Sequence, residues 1–527
     1  MYPVSSAFKK AIKQPVVEYK LTGTLGQHNF TEADILEGSF KISNQSTNDN
    51  QITLGSSYMG RLDATFTGDF FNRYDWYLKR IGPTLSVKLP DGTYEDVPLG
   101  VFIIKESKHT AEGVQVVAYD RMVKFGRKFM HNRYNYAAKP YVFLSQICTE
   151  CDVTLANTRA EIEAMRNGER TMYIFGTLTA SKDYENDIEK CWDAIFWLAQ
   201  TLGGFATFNR DGELEIRQYN QHVVDVISED HRLEGAVFDG YLTNFTGIYV
   251  ENMDDSTESY YGYDPEEIEE QINTLMAEIA GYETDIDTLE GELATLYEEQ
   301  EQIVFDLNAL RIQYEEGQIT EEEYLRQKAI LDEQYDQKTA QIAAKQVQIE
   351  DKQEDIKLDQ KYIIWLTQAL EKAADGDEGT SMDLGANPFV QRIDPETESA
   401  DPTLMRRAIL KSLDKICYTP FTCSTVLGPH YDLGDVIRFT GGHADDDRCC
   451  IMAYEWTLNG EYYMQGWGTD TDSSLVKSKV GKAATRAQKT ATKAENNATS
   501  GGGGGGAASF IVAANNNFEF VSYTEVS

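Results

Sequence analysis

Short stretches of alternating apolar and polar side chains fill the first 125 residues and predict β-strands. The turn Pro90-Asp91-Gly92 separates two such stretches and is typical of a β-hairpin. Strands at this spacing favour a barrel or a sandwich. The predicted strands cover residues 16–22, 39–42, 62–66, 85–89, 99–104 and 114–119.

The pattern changes between residues 126 and 215, where it predicts a small α/β domain. Residues 141–151 and 187–202 carry apolar side chains at helical spacing. Gly203-Gly204 follows the second helix, and glycine is favoured just beyond helix ends. A hairpin predicted over 205–216 completes the domain.

Residues 264–372 show the clearest pattern, with apolar side chains recurring in steps of four and three. This repeat predicts a coiled coil. Asp264, Pro265 and Glu267 form a capping signal, and Gly317 divides the segment into two helices of roughly 75–80 Å. Near-equal lengths and a short connection predict an antiparallel hairpin. The predicted interface consists of Ile268, Ile272, Leu275, Ile279, Tyr282, Ile286, Leu289, Leu293, Leu296, Ile303, Leu307, Leu310, Tyr314, Tyr335, Ile342, Ile349, Ile356, Ile363 and Leu370.

The two ends of an antiparallel hairpin meet, so the hairpin can be inserted into a loop of another domain. β-Strand character is present before it, in residues 216–262, and returns in residues 381–470. We therefore predict one β domain that the hairpin splits. Beyond it we predict an Ala/Lys- and Gly-rich linker at 471–506 and a short β tail at 507–527.

Composition adds a strong negative charge. The chain has 527 residues and a net charge of −38. This charge argues against a nucleic-acid-binding protein, because nucleic-acid binding needs a basic surface. The hairpin contributes −20 of this charge. Lys338, Lys345, Lys352 and Lys361 of its second helix are placed to face the acidic first helix. The hairpin is either a projecting arm that makes an assembly contact or a spacer that touches nothing.

The sequence lacks the patterns typical of membrane proteins and of secreted proteins. No run approaches the ~18 apolar residues of a membrane span, and residues 1–10 lack the apolar core of a secretory signal. Seven cysteines in so long a chain argue against a disulfide-stapled secreted domain. We expect a protein made where thiols stay reduced.

The sequence offers little catalytic chemistry. It has no H-E-x-x-H, G-x-S-x-G or Walker pattern, and Cys148-Thr-Glu-Cys151 lacks the second pair of a zinc site. The His and Asp residues between His430 and Asp447 are either an oxygen-rich cation site or a solvated hairpin turn. A carboxylate pair for sugar hydrolysis remains open. We predict no catalytic, cofactor-binding or metal-binding residues and no cofactor.

The order of several stretches resembles the phage tail hub family, which includes the tail-tip or baseplate hub and the N-terminal part of siphophage tail-associated lysins. The resemblance covers residues 1–262 and 381–470, and the hairpin is not a core feature of the family. The stretches that carry it are 34–42 leading to 54–56, 97–104 followed by 118–122, 199–205 with 210–214, and 387–389 followed by 433–437.

The resemblance implies a mixed α+β multidomain fold. Two tail-tube-like β-barrels, at 1–125 and at 216–262 plus 381–470, would flank the α/β domain at 126–215. It also implies a homotrimer whose six barrels match a hexameric tail tube and seat fibres or a spike. Lysin-bearing members continue into a hydrolase, whereas this sequence ends soon after residue 470, so we expect no enzyme activity.

The leading hypothesis is a structural virion protein, a trimeric hub at the distal end of a bacteriophage tail. Its expected partners are tail-tube, distal tail and fibre or spike proteins, and its expected location is the tail tip or baseplate after assembly in the host cytoplasm. DNA would pass through the lumen of the hub without specific binding. The alternatives are a tail-associated cell-wall hydrolase and a protein that adsorbs to the host surface.

Overall fold

Twenty-two strands and seven α-helices form the described part of the chain, in a computed structural model. The strands are β1 (Tyr19–Leu25), β2 (His28–Thr31), β3 (Lys41–Gln45), β4 (Arg61–Phe66), β5 (Arg80–Lys88), β6 (Tyr94–Pro98), β7 (Phe102–His109), β8 (Val114–Asp120), β9 (Ala137–Ala138), β10 (Met172–Tyr173), β11 (Phe205–Phe208), β12 (Leu214–Arg217), β13 (Val223–Ser228), β14 (Val237–Phe238), β15 (Gly247–Glu251), β16 (Glu258–Gly262), β17 (Ser381–Asp383), β18 (Phe421–Thr425), β19 (Val436–Gly441), β20 (Ala444–Cys450), β21 (Ala453–Thr457) and β22 (Tyr462–Gly466). The α-helices are α1 (Ser6–Ile12), α2 (Pro140–Glu150), α3 (Arg159–Ala164), α4 (Cys191–Thr201), α5 (Pro265–Glu315), α6 (Glu321–Ala374) and α7 (Pro402–Lys411).

The structure describes residues 1–47, 51–67, 76–130, 133–134, 137–173, 188–219, 222–233, 235–239, 245–251, 258–374, 380–390 and 402–468. The predicted linker at 471–506 and β tail at 507–527 lie outside these residues. Within them, no helix is both long enough and apolar enough to cross a membrane.

A twelve-stranded antiparallel sheet dominates the fold, in the order β14-β18-β22-β21-β3-β4-β8-β7-β5-β1-β2, with β6 paired to β5. The chain leaving β2 returns to β4, where Leu36 N–H donates to the Thr65 carbonyl at 2.8 Å and Thr67 N–H donates to the Asp34 carbonyl at 2.9 Å. The sheet therefore curls back on itself. Together with the long helices, this confirms the mixed α+β fold class.

Alternation of side chains explains why this sheet forms. Along β5, every second residue from Ile81 to Val87 is buried, while the residues between them face the opposite side and are partly exposed. A period of two puts successive side chains on opposite faces of a strand, so one face of the sheet packs on a core.

Pairing of β3 with β21 joins the beginning and the end of the described chain into this one sheet. Ile42 lies opposite Trp456 in the pair. The core beneath the sheet contains Phe66 and Ile104 from the first region together with Phe421 and Phe439 from the last. Strands from both predicted β regions thus share a sheet and a core.

A second core holds the α/β region. Phe143 of α2 and Leu198 of α4 are buried there with Val250 of β15 and Ile409 of α7. Gly203 ends α4 with φ +73°, and a Cβ at that position would lie 2.3 Å from the Ser412 Cβ, so the helix end and its close packing both favour glycine.

Strands before the long helices pair with strands after them. β13 pairs in parallel with β19, β14 pairs with β18, and β15 pairs with both β16 and β17. The helices α5 and α6 leave the body after β16 and return to it at β17, so their two ends lie at one small sheet.

The sequence pattern did not predict three of the helices, α1, α3 and α7. Each is short, and the hydrophobic stripe of a two-turn helix has only a few members, such as Met405 and Ile409 in α7. The region 385–470 accordingly contains a helix in addition to the strands predicted there.

Candidate functional site

The long helices α5 and α6 are the outstanding feature of the fold, and we call residues 265–374 the arm. Asp264 caps α5, because its carboxylate accepts a hydrogen bond from Glu266 N–H at 3.1 Å. Gly317, with φ +73°, allows the chain to turn between the helices. Across the turn Tyr314 stacks on Tyr324 with ring centroids 4.7 Å apart.

Burial along the arm differs among the residues predicted to form its interface. Seven are buried: Ile268, Leu275, Leu289, Ile303, Leu310, Ile342 and Ile349. Ten are half-buried: Ile272, Ile279, Tyr282, Ile286, Leu293, Leu296, Leu307, Ile356, Ile363 and Leu370. Tyr314 and Tyr335 are exposed. Partial burial is expected where one helix has a single partner to cover its apolar stripe.

Three ion pairs join the two helices at intervals of one heptad. They are Lys338–Glu299 at 2.5 Å, Lys345–Glu292 at 2.5 Å and Lys352–Asp285 at 2.6 Å. The residue numbers fall on one helix as they rise on the other, so the antiparallel register is constant along this length. Pairs this exposed add at most about 1 kcal/mol each, and their main effect is on register. Lys361 lies nearer the base, where its positive charge opposes the rise that burial causes in the pKa of Cys417 and Cys449.

A small apolar core fixes the arm to the body. Ile268 and Leu275 of α5 pack with Tyr362 and Leu366 of α6 and with Cys417, which lies in the loop after α7. All five side chains are buried. The base of the arm is therefore part of the folded body.

Two consecutive residues of that loop, Asp414 and Lys415, hold both helices, and we call them the arm clasp. The hydroxyls of Tyr263 and Tyr362 donate to Asp414. Lys415 Nζ lies 2.8 Å from Asp359 on α6 and 3.3 Å from Glu278 on α5. One loop thus contacts both helices of the arm through hydrogen bonds and ion pairs.

Burial shapes the electrostatics of the clasp. Desolvation raises the pKa of Asp414, although the hydrogen bonds from Tyr263 and Tyr362 oppose the shift. Desolvation likewise raises the pKa of Asp359, and Lys415 opposes it. Lys415 also has a φ of +60°, which is uncommon for a residue other than glycine. The loop accepts this backbone geometry while delivering an ammonium group to a buried carboxylate.

Further ion pairs surround the base. Arg438 of β19 lies 2.6 Å from Glu354, and Arg407 of α7 lies 2.8 Å from Glu267. These contacts and the clasp all fall near the body ends of α5 and α6. Residues 282–315 continue beyond them for about 50 Å at 1.5 Å per residue. A base held on several sides favours an arm of fixed direction.

The aspartates predicted as one possible cation site include two that pair with arginines instead. Asp432 lies 2.8 Å from Arg210, and Asp435 lies 3.1 Å from Arg217, so both carboxylates have guanidinium partners. His430 is fully buried beside Asp225, whereas His443 lies exposed at the turn between β19 and β20. Within the described ranges, no group of three or more His, Cys, Asp or Glu residues could hold a metal ion.

The seven cysteines are free thiols and all are buried. Cys148 and Cys151 lie at the end of α2, and Cys151 is hydrogen-bonded to Cys191 at the start of α4. That hydrogen bond lowers the pKa of Cys191. Burial raises the pKa of Cys148 to about 12, which keeps it a thiol at neutral pH.

Sequence reasoning missed the arm clasp. Asp414 and Lys415 belong to no periodic pattern, and Lys415 is 137 positions away from its partner Glu278. A loop residue that reaches a distant helix leaves no local signal in the sequence.

Comparisons with protein families and with curated proteins find no match. Among solved structures, the chain is similar to the 43 kDa tail protein of prophage MuSo2 from Shewanella oneidensis. The match covers 86% of this chain and 99% of that chain, with 8% sequence identity and a TM-score of 0.38. That protein is a distant structural neighbour of this chain.

Proposed function

We propose that this chain is a structural protein of a phage tail, three copies of which form a hub at its distal end. Each copy would present two tube-like β regions, so a closed trimer would present six similar units to a hexameric tube. The hub would join that tube to the tail tip, fibres or spike. It would have no enzyme activity of its own.

The observation that carries the proposal is the sheet that unites strands from residues 1–125 with strands from 381–468. β3 and β21 pair over five residue positions, from Lys41–Thr457 to Gln45–Ala453. Backbone hydrogen bonds and a shared core hold the two regions in one orientation. A hub has to keep its tube-like units in fixed positions, and a continuous sheet does so.

The chemistry of the described residues supports a structural role. Asp432 and Asp435 are engaged by arginines, and the thiols of Cys148 and Cys417 are buried. A catalytic acid or nucleophile must reach its substrate. These carboxylates and thiols instead make contacts inside the folded body.

Labelling of intact particles tests the position of the protein. Gold-conjugated antibody against this chain should bind at the distal end of the tails of purified phage particles that contain it. Electron microscopy provides the readout, and antibody against a capsid protein is the control. Gold along the tail shaft, on the capsid or on no part of the particle would overturn the proposal.

Enzyme activity is tested on the purified full chain. A peptidoglycan zymogram should show no cleared zone under conditions in which lysozyme gives one. A cleared zone would reject a purely structural role and favour a tail-associated hydrolase.

Deletion of residues 286–351 tests the part of the arm that extends beyond its base. The side chains of Asp285 and Lys352 lie within 2.6 Å of each other, so a short Gly/Ser linker can join these residues while the buried base and the arm clasp keep their contacts, and the body should fold. We expect soluble protein and a loss of tail assembly or infectivity. Normal assembly and infectivity of particles containing the deleted chain would show that the arm makes no essential contact.

A further inference from the structure

Exposed apolar side chains concentrate in residues 297–337, which we call the distal arm. Eight of the eighteen large apolar residues that are exposed in the described chain lie there. They are Tyr297, Val304, Phe305, Ile312, Tyr314, Leu325, Ile330 and Tyr335. Scattered exposed apolar residues are normal, whereas a local concentration marks an interaction surface.

Phe305 and Ile312 cannot contribute to the seam between the helices. They lie one heptad apart, and each follows a buried seam residue, Ile303 or Leu310, by two positions. Two positions correspond to about 200° around a helix, so both side chains face away from the partner helix. Phe305 is 67% exposed and Ile312 is 48% exposed. With Ala309 between them, they form an apolar strip on the outer face of α5.

Strong negative charge surrounds this strip. The distal arm has twelve acidic residues and three basic ones, a net charge of −9. The basic residues also have acidic neighbours within the arm, since Arg326 pairs with Glu323 and Lys328 pairs with Asp332. The surface therefore combines apolar anchors with uncompensated carboxylates.

We infer that the distal arm binds a basic amphipathic segment of another protein, with apolar residues on the strip and lysines or arginines against the surrounding carboxylates. A second copy of the arm is a poor occupant because it carries the same charge. An anionic wall polymer or nucleic acid is a poor occupant for the same reason. A basic amphipathic helix matches both the apolar spacing and the charge.

This inference rests on the proposed function, since it identifies a partner class for the arm of a tail protein. It is tested on the isolated full chain. A failure here would leave the gold-labelling result untouched, and the two claims can be rejected separately.

The probe is a fluorescent 14-residue peptide of two Leu-Lys-Lys-Leu-Leu-Lys-Leu repeats, titrated with the full chain and followed by anisotropy. Two control peptides separate charge from amphipathic shape. One has glutamate in place of lysine, and the other has the same composition in an order that forms no apolar face. The first probe should bind at least tenfold more tightly than either control.

The protein variants locate the site. Phe305→Ser with Ile312→Ser should weaken binding of the probe at least tenfold. The matched control, Met276→Ser with Ile364→Ser, removes two side chains that are 54% and 59% exposed nearer the base. It should change binding less than twofold. Circular dichroism should show full helicity in both variants, because none of the four side chains lies in a buried position.

Three outcomes would overturn the inference. Equal binding of the scrambled peptide would mean that charge alone attracts the probe. Equal effects of the two double variants would mean that the strip is not the site. Concentration-dependent association of the chain that is abolished by Phe305→Ser with Ile312→Ser would assign the strip to a second copy.

Discussion

At the scale of single residues, burial decides the electrostatics of this protein. Asp120, at the end of β8, accepts hydrogen bonds from Gly60 N–H at 2.7 Å and from Met122 N–H at 2.9 Å. Desolvation outweighs these bonds and raises the pKa of its carboxyl group from 3.8 to about 7. The folded protein therefore holds a proton that the unfolded chain releases.

This shift predicts a loss of stability with rising pH. Between about pH 4 and pH 7 the folded state binds more protons at Asp120 than the unfolded state, so stability falls by up to about 1.4 kcal/mol per pH unit. Asp120→Asn should remove this contribution. Urea unfolding at pH 5 and pH 7 should show a smaller difference for the variant than for the parent chain, and identical differences would contradict the assignment.

The arm clasp gives a second prediction at the residue scale. Lys415→Met would leave Asp359 buried without its counter-charge, and we expect a loss of about 3 kcal/mol in the free energy of unfolding of the arm base. Hydrogen exchange in residues 354–366 measures it. The double variant with Asp359→Asn removes the stranded charge and should recover most of the loss. Equal losses in the single and double variants would show that the ion pair is not responsible.

At the scale of elements, the stability of the arm depends on the apolar side chains between its two helices and not on those of its outer face. Leu310 is buried between the helices, whereas Ile312, two residues further on, faces outward. The heptad pattern is local, so sequence alone predicts the two helices and their connection. It does not reveal where the arm meets the body, because Lys415 and Arg438 reach it from distant loops and strands.

The neighbouring pair Leu310 and Ile312 tests the seam. Leu310→Ala should lower the free energy of unfolding of the arm by about 2–3 kcal/mol because it removes buried apolar volume. Ile312→Ala, the matched control, should change it by less than about 0.5 kcal/mol. Hydrogen exchange of the distal arm gives the comparison. Similar effects of the two substitutions would mean that the helices pair in another register.

At the scale of the whole molecule, topology lies beyond what the sequence pattern can predict. The alternation in β3 and β21 predicts two strands, but their pairing joins Lys41 to Thr457 across most of the chain. Nothing local to either strand specifies that partner. The same holds for the core that combines Phe66 with Phe439. The pattern predicts the elements, whereas long-range packing decides how two β regions become one sheet.

The central claim is that three copies of this chain form the hub, and light scattering of the purified full chain tests it most directly. A trimeric hub predicts a mass of three times 59.4 kDa that persists on dilution through the micromolar range. The variant lacking residues 286–351 should also be trimeric, because the proposed contacts between copies lie in the β body. A mass of 59.4 kDa at every concentration would contradict the proposed trimer.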